Sequence, residues 1–177
     1  MKRILLVFIL FFFYSCICDN ETYYLNEDEI ALFPYENENS RTFIDNNQDL
    51  VVFENIMYER DVYEESSSSG FIAFGPKCDD SFEEIQVSMR SSSYELYIGT
   101  GTDSVFEINF IDKSLGGFGV YYRLMAHQFI SNYSYNDIIY DDVLRMYSDF
   151  SDDEVFLIKN IGVVIIRFGN QEFTLEN

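Results

Sequence analysis

Glu84-Ile85-Gln86-Val87-Ser88-Met89-Arg90 sets an apolar side chain at every second position and a polar one between. Successive side chains of a β-strand point to opposite faces, so a period of two describes a strand with one buried and one wet face. Ile85, Val87 and Met89 form the inward set. The neighbouring stretches repeat the pattern. Tyr94 to Ile98 turns Tyr94, Leu96 and Ile98 inward, and Gly99-Thr100-Gly101 follows as a glycine-rich break. Val105 to Ile111 then alternates Phe106, Ile108 and Phe110 against Val105, Glu107, Asn109 and Ile111. Consecutive alternating strands joined by short Gly/Ser turns predict an antiparallel meander.

Outward from this centre the rhythm continues. Leu50 to Glu54 is a β-rich run, and Ile56, Tyr58 and Asp61 to Tyr63 extend it in rough alternation. Ser66 to Gly70 reads as an exposed loop, Phe71 to Phe74 as a short strand stopped by Gly75-Pro76. Upstream, residues 36–48 are rich in Asn and Glu and read as a loop or turn. Ile30 to Glu36 is a short apolar patch whose Pro34 disfavours helix at Phe33, so it is expected to dock or to form an edge strand. Downstream, Leu115 to Gly119 is a glycine-rich break. Gly119 to Met125, Phe129 to Tyr135 and Tyr140 to Asp149 are read as strands.

The C-terminus is the clearest part. Val155 to Ile158, Val163 to Phe168 and Glu172 to Leu175 are three strands separated by two tight turns, the second carrying the hairpin pair Gly169-Asn170. Val163-Val164-Ile165-Ile166 is apolar on both faces and should be a central strand. The expectation is an all-β fold: a single antiparallel meander domain forming a sandwich, roll or barrel of about 8–11 strands. No repeat at a fixed period is present.

Composition agrees. The chain has 14 Tyr and 18 Phe but no Trp, and Tyr and Phe suit half-buried pleated surfaces. With 47% hydrophobic residues it is not a disordered acidic tail. Eleven basic and 31 acidic residues give a net charge of −20. Such a field repels DNA, RNA and anionic membrane surfaces, which argues against nucleic-acid binding.

The N-terminus gives an address. Lys2-Arg3 precedes an apolar run from Ile4 to Tyr14, then Ser15-Cys16. A short positive segment, an apolar core of roughly 7–15 residues and a small residue before the cut describe a secretory signal peptide, and the run is too short to span a bilayer. Tyr14-Ser15-Cys16 resembles the lipobox of bacterial lipoproteins, which implies cleavage after Ser15 and lipid on Cys16; Phe13 stands where leucine is more common. Two or more acyl chains would give stable attachment. Residues 1–15 are then the lipoprotein signal peptide, 16–29 an acidic tether with Asp19, Glu21, Glu27 and Asp28, and 30–177 the β-rich domain. Acidic residues soon after the cysteine resemble, loosely, the surface-export signal of Bacteroidota lipoproteins. The closing run Val155 to Phe168 with terminal Glu172 to Leu175 and the Leu32-Phe33-Pro34-Tyr35 patch also resemble small lipoproteins of Bacteroidota, a group without a common activity. The implied location is the outer membrane, on its periplasmic or surface-facing leaflet. Cys18 and Cys78 are then left either to pair as a disulfide, which an exported compartment allows, or to remain thiols.

The search for chemistry is mostly empty. His127 is the single histidine, so any Ser-His-Asp or Cys-His arrangement would have to use it, and no Gly-x-Ser-x-Gly is present. A lone histidine is more often structural or on the surface. Carboxylates are abundant enough to pair by chance, which leaves a carboxylate-based hydrolase as one alternative. Asp45-Asn46-Asn47-Gln48-Asp49 begins like an EF-hand loop, but Leu50 stands where the glycine should be and Ile56 where the bidentate Glu should be. Asp141-Asp142 and Asp152-Asp153-Glu154 read as solvated acidic faces. Gly116-Gly117-Phe118-Gly119 lacks the Lys-Ser/Thr of a phosphate cradle. No cofactor and no metal are expected. Asp103-Ser104-Val105 resembles the O-glycosylation sequence of exported Bacteroidota proteins, with Ser104 as acceptor. The leading expectation is a non-enzymatic binding or interaction module that is held on the membrane by its N-terminal lipid and presents an acidic, Tyr-rich face to a protein or glycan. A lipocalin-like carrier of an apolar ligand is the other alternative.

Overall fold

The computed structural model describes residues 21–66, 79–101, 105–114 and 119–176. They contain fourteen strands and one short helix. In chain order these are β1 (Thr22–Tyr23), α1 (Glu27–Ile30), β2 (Ser40–Asp45), β3 (Leu50–Ser66), β4 (Asp79–Arg90), β5 (Tyr94–Gly101), β6 (Phe106–Asp112) and β7 (Val120–Leu124). There follow β8 (Ala126–Ile130), β9 (Tyr133–Tyr135), β10 (Ile138–Tyr140), β11 (Val143–Tyr147), β12 (Glu154–Ile158), β13 (Gly162–Phe168) and β14 (Gln171–Leu175). The fold is all-β, as the alternation predicts, and eleven of the strands have five residues or more.

One sheet runs in the order β7-β6-β5-β4-β3-β2-β14-β13-β12-β11-β8, with β1 parallel to β4 and every other pairing antiparallel. The two strands at its ends are neighbours in sequence, separated by Met125 alone. Consecutive Cα atoms lie about 3.8 Å apart, so Leu124 and Ala126 are within about 8 Å of each other. The sheet must curl until its edges meet there, and the result is a nearly closed barrel. One half, β2 to β7, is a continuous meander; the other runs from β8 through β11 to β14, interrupted by the separate β9–β10 hairpin. They join at Met125 on one side and through the short β2–β14 pairing (Phe43 opposite Leu175, Asp45 opposite Phe173) on the other.

The inward sets predicted on β4 and β5 are inward: Ile85, Val87, Met89, Leu96 and Ile98 are buried, and Tyr94 packs against the core half-buried. On β6 the buried set of the two is Phe106, Ile108 and Phe110. Aromatic rings fill the interior between them. Phe110 stacks on Phe168 with centroids 4.6 Å apart, and Tyr94 meets Phe173 edge-on at 4.9 Å. β13 is central and buried on both faces from Val163 to Ile166. The β9–β10 hairpin explains the second face. It covers the outside of β12 and β13, with Tyr133 stacked on Phe156 at 4.9 Å and the Tyr135 hydroxyl donating to the Leu175 carbonyl at 2.9 Å. Gly169-Asn170 forms the two-residue turn between β13 and β14, with Gly169 at φ +59°.

The N-terminal segment crosses one mouth of the barrel. The Leu25 N–H donates to Glu83 on β4 at 2.9 Å, Phe33 stacks on Phe106 of β6, and the Val163 N–H of β13 donates to the Tyr35 hydroxyl oxygen at 2.7 Å. Strands on opposite sides of the barrel are thus bridged by one segment, and Leu32, Phe33 and Tyr35 are fully buried in the mouth. The Ile30 to Glu36 patch therefore docks. Residues 21–29 of the acidic stretch also join the fold, through β1 and through α1, whose capping box pairs Asn26 with Glu29.

Three local expectations differ from the structure. Residues 36–48 contain a strand, β2, instead of being a loop. Its inward alternation is masked because one inward position is Arg41, which is buried over the Tyr35 ring at 4.4 Å and paired with Glu38. Phe129 to Tyr135 is two strands, broken where Asn132 takes φ 58°. Gly99-Thr100-Gly101 lies inside β5 and is not a break, because β4 pairs with all three residues and β6 with Gly99 and Thr100. The Phe71 to Phe74 strand falls outside the described residues.

Candidate functional site

Strand pairing puts outward-facing residues of β3 to β7 into transverse rows. One row reads Glu59, Gln86, Gly99 and Glu107 across four strands. The row beside it reads Met57, Ser88, Tyr97, Asn109 and Arg123. On the other side stand Asp61, Glu84 and Gly101. Strands lie about 4.8 Å apart, so the backbones of β4 and β6 flank Gly99 at a separation of about 10 Å, while Gly101 is paired with β4 alone. Neither glycine puts a side chain of its own there, and Glu84 Oε1 lies 4.0 Å from where a Gly99 Cβ would stand. A Cβ built on Gly99 would come no nearer to any neighbour than 3.6 Å, from the Ile85 carbonyl oxygen, and one on Gly101 would lie 4.0 Å from the Tyr63 hydroxyl. The outcome is an open trough of about 690 Å³ with glycine backbone in its floor, lined by Glu59, Glu84, Gln86, Glu107, Tyr97 and Tyr121 and by apolar Met57, Val105 and Ile111.

The wall groups are held in place. Glu107 accepts from Asn109 Nδ2 at 2.7 Å and forms a two-pronged pair with Arg123 at 2.9 and 3.0 Å. The Asn109 hydrogen bond first, then Arg123, holds the Glu107 carboxyl below the usual carboxylate range. The Tyr121 hydroxyl donates to Asn109 Oδ1, and Gln86 Nε2 donates to Glu84 Oε1 at 2.8 Å. The Tyr97 hydroxyl accepts from Arg90 at 3.2 Å and donates to Glu95 at 3.3 Å. Among the described residues no ion pair engages Glu59 or Glu84, so the trough keeps negative charge after Arg123 has neutralised Glu107.

The other sequence candidates fare differently. Cys16, Cys18, Cys78 and Ser104 lie outside the described residues, and nothing in the structure bears on lipidation, disulfide or glycan at them. His127 is exposed on β8, its ring edge-on to Phe106 at 5.2 Å. Asp45 closes the β2–β3 turn by accepting the N–H groups of Asn47 and Asp49, each at 2.8 Å. Asp153 accepts the Gly169 N–H at 2.8 Å, and Glu154 pairs with Arg145 and Arg167. These carboxylates serve turns and strand pairs. Among the described residues no three His, Cys, Asp or Glu side chains converge to hold a metal.

The trough itself escapes a reading of the sequence because glycines within a strand look like punctuation. One signal was present. The inward phase Leu96, Ile98 continues to Thr100, which is buried, and this phase sends Gly99 and Gly101 outward. Comparison of the chain with protein-family models, with curated proteins and with solved structures finds no match.

Proposed function

We propose that this protein is an exported binding module, anchored to the outer membrane through lipid on Cys16, that takes its ligand into the trough on the outer face of β3 to β7. The observation that carries the reading is the pair of outward glycines in β5, which cost strand stability and leave room beside ordered polar side chains. A glycine inside a strand marks a bulge, a tight bend of a barrel or a place where a ligand or another backbone approaches, and β5 pairs with β4 here in regular register, without a bulge. The barrel interior offers a poorer site: Phe43, Phe53, Phe106, Phe110 and Phe173 are all fully buried there, several in ring-to-ring contact. The filled interior supports a module that binds on its outside over a carrier that binds within.

Two measurements test this. The intact mass of the protein from a membrane fraction, beside a Cys16→Ala variant, should equal residues 16–177 plus acyl groups and lose them in the variant. An unmodified mass in the soluble fraction would sink the anchor. Tyrosine nitration in intact envelopes tests the trough. Tyr121 is 57% exposed and Tyr24, outside the trough, 68%. Tyr121 should be nitrated several-fold more slowly in envelopes than in purified protein, with Tyr24 unchanged. Equal protection of both would refute an occupied trough.

A further inference from the structure

We infer that the ligand of this trough is a short run of uncharged saccharide; this rests on the trough being the ligand site. Four features converge on it. Glu59 and Glu84 hold unneutralised charge at the trough in a chain of net charge −20, so phosphate, sulfate and uronate groups are repelled. The polar part of the lining combines pure acceptors with amides: Glu59, Glu84 and Glu107 accept, Gln86 and Asn109 both donate and accept, and apolar Met57, Val105 and Ile111 lie beside them. A polyhydroxylated ring, each of whose hydroxyls does both, satisfies such a set, and an apolar ligand does not.

Pre-ordering is the third feature. The Arg123–Glu107–Asn109–Tyr121 chain fixes four side chains before any ligand arrives, which lowers the entropy cost of binding. The fourth is the aromatic part of the lining. The Tyr97 and Tyr121 rings offer an apolar surface to the C–H face of a sugar, while their hydroxyls stay engaged with Arg90, Glu95 and Asn109. A peptide adding as a strand is excluded at this place, because β4, β5 and β6 are each paired on both sides. A peptide could enter only through its side chains, and a basic one is the competitor that the charge admits.

The test uses the full chain, ¹⁵N-labelled, with amide shifts followed during addition of neutral hexasaccharides of glucose, N-acetylglucosamine, mannose, galactose and xylose, and separately of hexalysine. The blocking variant is Gly99→Leu, whose Cβ would stand at ordinary van der Waals distance from the Ile85 carbonyl oxygen (3.6 Å) and Glu84 Oε1 (4.0 Å) on an ordinary strand backbone; unchanged amide shifts away from the trough verify its fold. The inference expects at least one sugar to shift the Gln86, Gly99, Gly101 and Glu107 amides, with affinity at least tenfold weaker in Gly99→Leu. Shifts there with hexalysine and none with any sugar would overturn the saccharide and keep the trough. Silence from every probe would likewise overturn the saccharide, and the nitration of Tyr121 in envelopes then decides separately whether the trough is a site at all.

Discussion

The Tyr35 hydroxyl oxygen accepts the Val163 N–H at 2.7 Å across 128 positions of sequence. Both partners are fully buried, and the bond fixes the N-terminal segment to the turn that starts β13. Tyr35→Phe leaves that N–H without a partner. A buried unsatisfied donor costs about 1–3 kcal/mol, and chemical denaturation should show a midpoint lowered accordingly, with an unchanged slope.

The same hydroxyl sets a limit at high pH. Burial pushes it up to about 12, against the pull of Arg41 beside it. In the unfolded chain the proton leaves near 10. Between these values the folded state binds more protons than the unfolded one, so stability present below pH 10 is lost as pH rises through 12. Tyr35→Phe should flatten this part of the stability profile. An identical alkaline slope in the variant would show that other groups carry it.

Two glycines should respond in opposite ways. Gly162 has φ +81°, and a Cβ there would lie 2.4 Å from the Tyr35 hydroxyl oxygen. Gly162→Ala combines backbone strain with overpacking and should cost about 3 kcal/mol. Gly99→Ala meets neither obstacle and should be neutral or stabilising by about 0.4–1 kcal/mol. Thermal melts of the two variants side by side check the contrast.

Phe110 is the densest aromatic contact of the interior, touching the rings of Phe168, Phe173, Tyr94 and Tyr122. Phe110→Ala should lose about 3–5 kcal/mol in denaturation. A loss below about 1 kcal/mol would mean that the site is not packed as described.

Glu83 joins the N-terminal segment to the barrel wall. It is 5% exposed, accepts the Leu25 N–H at 2.9 Å and pairs with Arg60 at 2.6 Å. Glu83→Ala should release β1 and α1 before the rest of the fold. A Glu-specific protease would then cut after Glu27 and Glu29 many-fold faster than in the wild type, while Glu84→Ala, whose side chain faces the trough, leaves the rate unchanged.

Much of the barrel was legible because Ile85-Val87-Met89 and Phe106-Ile108-Phe110 obey a period of two against polar partners. The doubly apolar Val163 to Ile166 announced a central strand, although not the hairpin that covers its outer side. What the pattern concealed has specific causes. β2 hides because its inward Arg41 is polar in the sequence yet buried through Glu38 and the Tyr35 ring. The trough hides because Gly99 and Gly101 have no side chain to phase. Sheet order hides because pairing Phe43 with Leu175 leaves no local trace.

The join at Met125 bears on how the chain reaches this shape. The strands from β2 to β7 pair each with the next in sequence, and most of the second meander does the same. Both halves can therefore form from contacts of short separation, which are fast. What must wait is the β2–β14 seam, together with the Tyr35–Val163 bond that spans 128 positions. Loop-closure entropy rises only slowly with loop length, so this late zippering is a modest barrier once the meanders exist. Folding should then show the seam as its last event, because β7 and β8, which no strand pairing joins, are already held together by Met125.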